Sequence, residues 1–99
     1  MWNWLQRLRE NRAVLRREVN AVGAEFEAKP YEELKEIPNE GPPVTRVVEG
    51  REVWFSAEVY GIKPNGDLEV CIDAGGLPML LGIKPSYHFF KRPDGAVYY

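Results

Sequence analysis

The residues best equipped for chemistry in this chain are Cys71, Asp73 and His88. A thiol, an imidazole and a carboxylate are the parts of a nucleophile, a base and an orienting acid. Cys71 and Asp73 lie two positions apart, so on a strand they share one face. Their context argues against catalysis. A reactive thiolate needs a helix N-terminus or a basic neighbour, and neither is written beside Cys71. An isolated cysteine more often packs as a small hydrophobe. His88, between Tyr87 and Phe89, reads as a strand residue with a local hydrogen bond. Metal binding is no better supported by spacing, because one Cys and one His seventeen residues apart match no common ligand pattern. No catalytic, cofactor-binding or metal-binding residue is assigned, no cofactor is expected, and the balance leans away from an enzyme.

Three other stretches could bind something. Residues 86–92, Ser-Tyr-His-Phe-Phe-Lys-Arg, mix rings with cations, the chemistry of a platform for single-stranded nucleic acid. Yet residues 53–99 carry four basic and five acidic groups, and a nucleic-acid module is ordinarily basic. Alternation explains the rings equally well as cross-strand pairs, so nucleic acid is not an expected partner. Residues 2–17 combine Trp2, Trp4, Leu5 and Leu8 with five arginines, a pattern suited to an anionic membrane surface. The competing reading docks that apolar stripe on the sheet or on its own copy in a dimer. Ala74 to Pro85 is a Gly- and Pro-rich loop whose Leu77, Met79, Leu80, Leu81 and Ile83 are too apolar for an idle solvated segment. It reads as a short helix with Pro78 in its first turn, capping one end of the sheet, or else as a lid or an interface. Gly75-Gly76 is not a phosphate loop, because the Lys and Ser/Thr of that motif are missing.

The elements that must position these residues change period along the chain. Leu5, Leu8, Leu15, Val19, Val22 and Phe26 recur at helical steps, with Arg12 filling one slot of the stripe. They predict an amphipathic helix over residues 3–28, with Asn3 as N-cap and Gln6 completing a capping box. Lys29-Pro30 ends it. Residues 30–37 suit a second, short helix with Pro30 at its first position and Tyr31, Leu34 and Ile37 turned inward. Residues 38–43 form a linker stiffened by proline. From Val44 the period is two, predicting strands over 44–48, 51–62, 68–73, 87–91 and 96–99. Glu49-Gly50, Lys63-Pro64-Asn65-Gly66 and Arg92-Pro93-Asp94-Gly95 supply turns.

The central hairpin, Glu52 to Asp73, carries a conflict of register. A three-residue turn pairs Ile62 with Leu68 and Tyr60 with Val70. A two-residue turn pairs Val59 with Ile72 and aligns the apolar positions of both strands. In either case Trp54 and Phe55 point to opposite faces, so something must cover each side or one face is a contact surface.

Bulk properties bound these readings. The chain has 99 residues, enough for one domain with a modest core. With 44% hydrophobic and 28% charged residues, wholesale disorder is not expected. The net charge of −2 provides no global attraction for nucleic acid or lipid. A single cysteine rules out an internal disulfide, and with no signal-peptide pattern or long apolar run a cytoplasmic location is expected.

The expected architecture is α+β: an N-terminal amphipathic helix and a short second helix packed on a four- or five-stranded antiparallel meander. Residues 1–99 form a single domain in this reading, with a helical part (1–37), a linker (38–43) and a sheet (44–99). The expected core comprises Leu8, Leu15, Val19, Val22, Phe26, Val53, Phe55, Val59, Val70, Ile72 and Phe90. The expected function is a small protein–protein interaction module, with a protein partner or self-association through a homodimer. Its candidate surface is Trp4, Arg12, Trp54, Leu77, Met79, Leu80, Leu81, Tyr87 and His88. The alternative is a peripheral membrane adaptor using residues 2–17. A nucleic-acid binder or a small enzyme ranks third.

Overall fold

A computed structural model describes residues 2–38, 43–61, 64–78 and 84–99. Helix α1 runs Trp2–Glu27 and α2 runs Tyr31–Lys35. The strands are β1 (Val44–Val48), β2 (Arg51–Gly61), β3 (Leu68–Gly75), β4 (Ser86–Lys91) and β5 (Val97–Tyr98). They form one antiparallel sheet in the order β1-β2-β3-β4-β5, so each strand pairs with its sequence neighbour. The architecture is α+β, a long helix and a short one on a five-stranded meander.

Packing rather than charge within its own end turns holds α1. Its first turn has no acid and its last turn no base, so no local charge offsets the macrodipole. The helix begins at Trp2, which places Asn3 inside the first turn instead of at the cap. Leu8, Asn11, Leu15, Val19 and Val22 form the buried stripe, joined by Val14. Asn11 therefore occupies the slot that the sequence assigns to Arg12, and Arg12 is exposed. The phase explains it: Asn11 is three residues after Leu8 and four before Leu15, and the burial of Val14 turns the stripe toward Asn11. Lys91, reaching from β4, then serves the C-terminus of the helix. Its buried Nζ donates to the Glu27 carbonyl at 2.7 Å, supplying the cation that the last turn lacks.

The chain turns directly into α2. Pro30 is its N-cap rather than its first helical residue, and the Pro30 carbonyl accepts from the Glu33 and Leu34 N–H groups. Leu34 is fully buried, with Tyr31 and Ile37 packed beside it as their spacing implies. The Tyr31 hydroxyl donates to the Gly66 carbonyl at 2.6 Å, tying α2 to the turn before β3.

The β1–β2 turn is a two-residue loop, Glu49-Gly50, with positive φ at both positions (51° and 77°). That geometry matches the strand twist. The β2–β3 register pairs Gly61 with Leu68, Val59 with Val70, Ala57 with Ile72 and Phe55 with Ala74. It is neither of the two expected registers. It keeps the face alignment of the two-residue alternative and slides it by two residues, so burial of the apolar face decided the pairing. Ile62 and Lys63 lie outside the described residues; within the turn, the Asn65 side chain accepts from the Asp67 N–H at 3.2 Å. At the same end of the sheet Arg92–Ala96 closes as expected, with the Gly95 N–H donating to the Arg92 carbonyl at 2.9 Å.

Helix α1 lies over β3 and β4. The core beneath it contains Leu15, Val19, Leu34, Val53, Phe55, Val70, Ile72 and Phe89. Phe89 replaces Phe90 in the expected core. It pairs with Val70 on the helix side, which sends Phe90 to the opposite face, where it is half-buried. Phe26 is also only half-buried, at the margin of the cluster. The helix comes close against the sheet at Gly23: a Cβ there would sit 2.3 Å from the Tyr87 ring.

Candidate functional site

The pleat divides the sheet residues into two sets. One set faces α1. The other, facing away from the helix, contains Thr45 and Val47 on β1, Trp54, Ser56, Glu58 and Tyr60 on β2, and Glu69, Cys71 and Asp73 on β3. His88 and Phe90 on β4 and Tyr98 on β5 complete it. Trp54 and Phe55 do point to opposite faces, with Phe55 buried under the helix layer and Trp54 half-buried on the open face.

Trp54 lies on Gly75, its direct cross-strand partner. A Cβ at Gly75 would stand 2.3 Å from Trp54 Cζ2, so the absence of a side chain lets the indole lie flat. The Lys84 ammonium sits 4.9 Å from the ring centroid, a cation–π contact that covers part of it. Trp54 and Lys84, with Pro43, Thr45, Ser56 and Asp73, line a groove of about 390 Å³. The groove adjoins β1, an edge strand of the sheet.

Beside it runs a polar and aromatic row. Glu58, Cys71 and His88 are aligned across three strands, with Glu58 opposite Cys71 and Cys71 opposite His88. His88 Nε2 is 2.6 Å from Glu69 Oε2. The imidazole meets Phe90 edge-on at 4.9 Å, and Phe90 stacks on Tyr98 at 5.0 Å. The Tyr60 hydroxyl donates to Glu58, which holds the phenol proton and raises the Tyr60 pKa. The Cys71 thiol is pushed up by burial first, then by Glu69, Asp73 and Glu58. A thiol raised in this way is a poor nucleophile at neutral pH. The acid that meets His88 is Glu69, not Asp73, so the nucleophile–base–acid arrangement weighed from the sequence is not assembled.

The nine expected surface residues do not share one surface. Trp54 and His88 lie on the open face. Tyr87 faces the helix instead, its ring against Gly23 and its hydroxyl donating to Glu27 Oε1 at 2.6 Å. Its neighbour Tyr99 donates to the same carboxylate, and these bonds raise both tyrosine pKa values. Leu77 is buried. Met79, Leu80 and Leu81 lie outside the described residues, so the capping-helix and lid readings of that loop fall there too. Trp4 is 62% exposed near the start of α1. Arg12 lines a shallow basic groove with Arg9, Ala13 and Arg16.

Glu69, Thr45 and Lys84 are among the residues of the open face that sequence reasoning missed. Glu69 was accessible through alternation, being two positions from Cys71. Lys84 was not, because only the folded chain brings it to Trp54. No known protein family, curated protein or solved structure matches the chain. Among the described residues no helix is long and apolar enough to cross a membrane.

Proposed function

We propose that this chain is a small protein–protein interaction module that self-associates through the β1 edge and the adjoining open face. The observation that carries this reading is the character of β1. It is an edge strand of the sheet, and Val44 and Val47 on it are 54% and 75% exposed. Edge strands offer unpaired N–H and C=O groups, and proteins usually blunt them with lysine, proline or a bulge. Here Arg46 is turned to the helix side, where its Nη2 meets Glu25 Oε2 at 2.8 Å, leaving valine and threonine to the open side.

A second copy fits this edge in antiparallel register. Pairing centred on Val47 sets the two Val47 side chains together on the open face. It sets Arg46 of one copy opposite Val48 of the other, which avoids two facing arginines. The grooves beside the two Trp54 residues then become continuous with the joint. The test is sedimentation of the wild type and of Val47→Lys over a range of concentrations. A concentration-dependent dimer that the lysine abolishes supports the reading; a wild type that stays monomeric at every concentration rejects it.

One observation favours a second reading. Trp4 and Leu5 are exposed ahead of Leu8, and Arg9, Arg12 and Arg16 share a groove on the same helix. That arrangement suits an anionic lipid surface. Co-sedimentation with anionic vesicles, unchanged by Trp4→Ala with Leu5→Ala, would remove it.

A further inference from the structure

We propose that Glu69, Cys71 and His88 form a binding site for a divalent transition-metal ion, best suited to Zn²⁺, on the open face of the sheet. One potential donor atom from each lies within 4.8 Å of the others. The fold makes this cluster by register. Cys71 and His88 are direct cross-strand partners, and Glu69 projects from the same face of β3 two residues away. The sequence separation of Cys71 and His88 concealed the set, because strand pairing replaces the short spacing of a metal-binding loop.

The donor atoms stand near the spacing of a zinc site, within 4.8 Å of one another. Bond lengths of about 2.0–2.3 Å to N, O and S place the donors of a tetrahedral site roughly 3.2–3.7 Å apart. The His88–Glu69 pair now stands at 2.6 Å, as a hydrogen-bonded pair does, so an ion must open it by less than about 1 Å. Side-chain rotation supplies such a change without moving the strands. The imidazole is held at a fixed tilt by Phe90, itself stacked on Tyr98, so part of the orientation is built in before the metal arrives.

Charge and ligand type point the same way. Glu58 and Asp73 flank Cys71 on this face, giving a local field that favours a cation. Binding would exchange the thiol proton for the metal and release that proton to solvent, leaving oxidation states unchanged. A thiolate with an imidazole selects zinc or cobalt over magnesium or calcium. Three protein ligands leave a fourth position for water or for a donor from another molecule.

The test uses Co²⁺ as an optical probe with the full-length protein. The expected result is a thiolate-to-cobalt charge-transfer band that saturates near one ion per chain and disappears on addition of Zn²⁺. Cys71→Ser should abolish the band, and His88→Gln and Glu69→Gln should each weaken binding by about 10-fold or more. These side chains are exposed or half-buried, so circular dichroism of the variants should match the wild type. A second measurement needs no variant: Zn²⁺, but not Mg²⁺, should slow alkylation of Cys71. Absence of the thiolate band, zinc affinity that survives Cys71→Ser, or alkylation indifferent to zinc would each overturn the proposal.

Discussion

Replacing Phe89 and Phe90 separately by alanine distinguishes the two faces of β4. Phe89 is 0% exposed and packs among Val70, Ile72 and the helix residues. Removing a fully buried ring costs about 3–5 kcal/mol, combining lost transfer energy with the cavity left behind. Phe90, half-buried on the open face, loses part of its burial and its stacking on Tyr98. The stacking is worth about 0.5–1.5 kcal/mol beyond area, so the total should be about 1–2 kcal/mol. Urea unfolding followed by tryptophan fluorescence measures both, and a domain of this size holds only about 5–15 kcal/mol in total. In thermal unfolding the Phe89 variant should lose roughly 15–30 °C, near the limit of remaining folded. A larger loss from Phe90→Ala than from Phe89→Ala would refute the reasoning. It would mean that β4 is displaced by one residue and that its faces are exchanged.

Asn11 is 1% exposed; its Nδ2 donates to the Pro78 carbonyl at 2.9 Å and its Oδ1 accepts from Arg51 Nη1 at 2.8 Å. Asn11→Ala should therefore cost about 1–3 kcal/mol in urea unfolding despite the better helix propensity of alanine, and a neutral result would discount the bridge. Gly75→Ala places a Cβ 2.3 Å from Trp54 Cζ2, so the indole must lift from the strand. A cost of about 1–3 kcal/mol and a red-shifted emission from Trp54 are expected, and an unchanged spectrum would contradict the stacked geometry. Tyr87 keeps its proton above the ordinary value of 10.0, chiefly because its hydroxyl donates to Glu27. A raised pKa contributes stability that is fully present below the unfolded value and is lost as pH rises toward the folded one. Stability should thus fall with increasing pH beyond about 10, with a shallower fall in Tyr87→Phe; equal slopes would remove Tyr87 as the cause.

Local signals made much of the fold legible. The helical period fixed α1, proline marked the passage to α2, and alternation with Gly-containing turns fixed the strands. What escaped depended on partners distant in sequence. Arg12 and Asn11 both fit the helical stripe approximately. The choice between them rests on Pro78 and Arg51, which the fold brings to Asn11 from 67 and 40 residues away. Phe89 and Phe90 are equally apolar neighbours, and only pairing with Val70 decides which enters the core. The β2–β3 register was underdetermined because the turn residues allowed several loop lengths while the apolar face constrained only odd or even alignment. Tyr87 and His88 were expected on one surface, although adjacent strand residues face opposite ways. The candidate metal ligands were hidden similarly: alternation joins Glu69 to Cys71, but the path from β3 to β4 fixes no register for His88.

Self-association through the β1 edge would cover its amides. Hydrogen–deuterium exchange of the β1 amides, measured at low and high protein concentration, tests it most directly. Self-association through this edge should slow exchange at Val44–Val48 as concentration rises, while the central strand β3 remains protected throughout. Exchange in β1 that is fast and independent of concentration would contradict it.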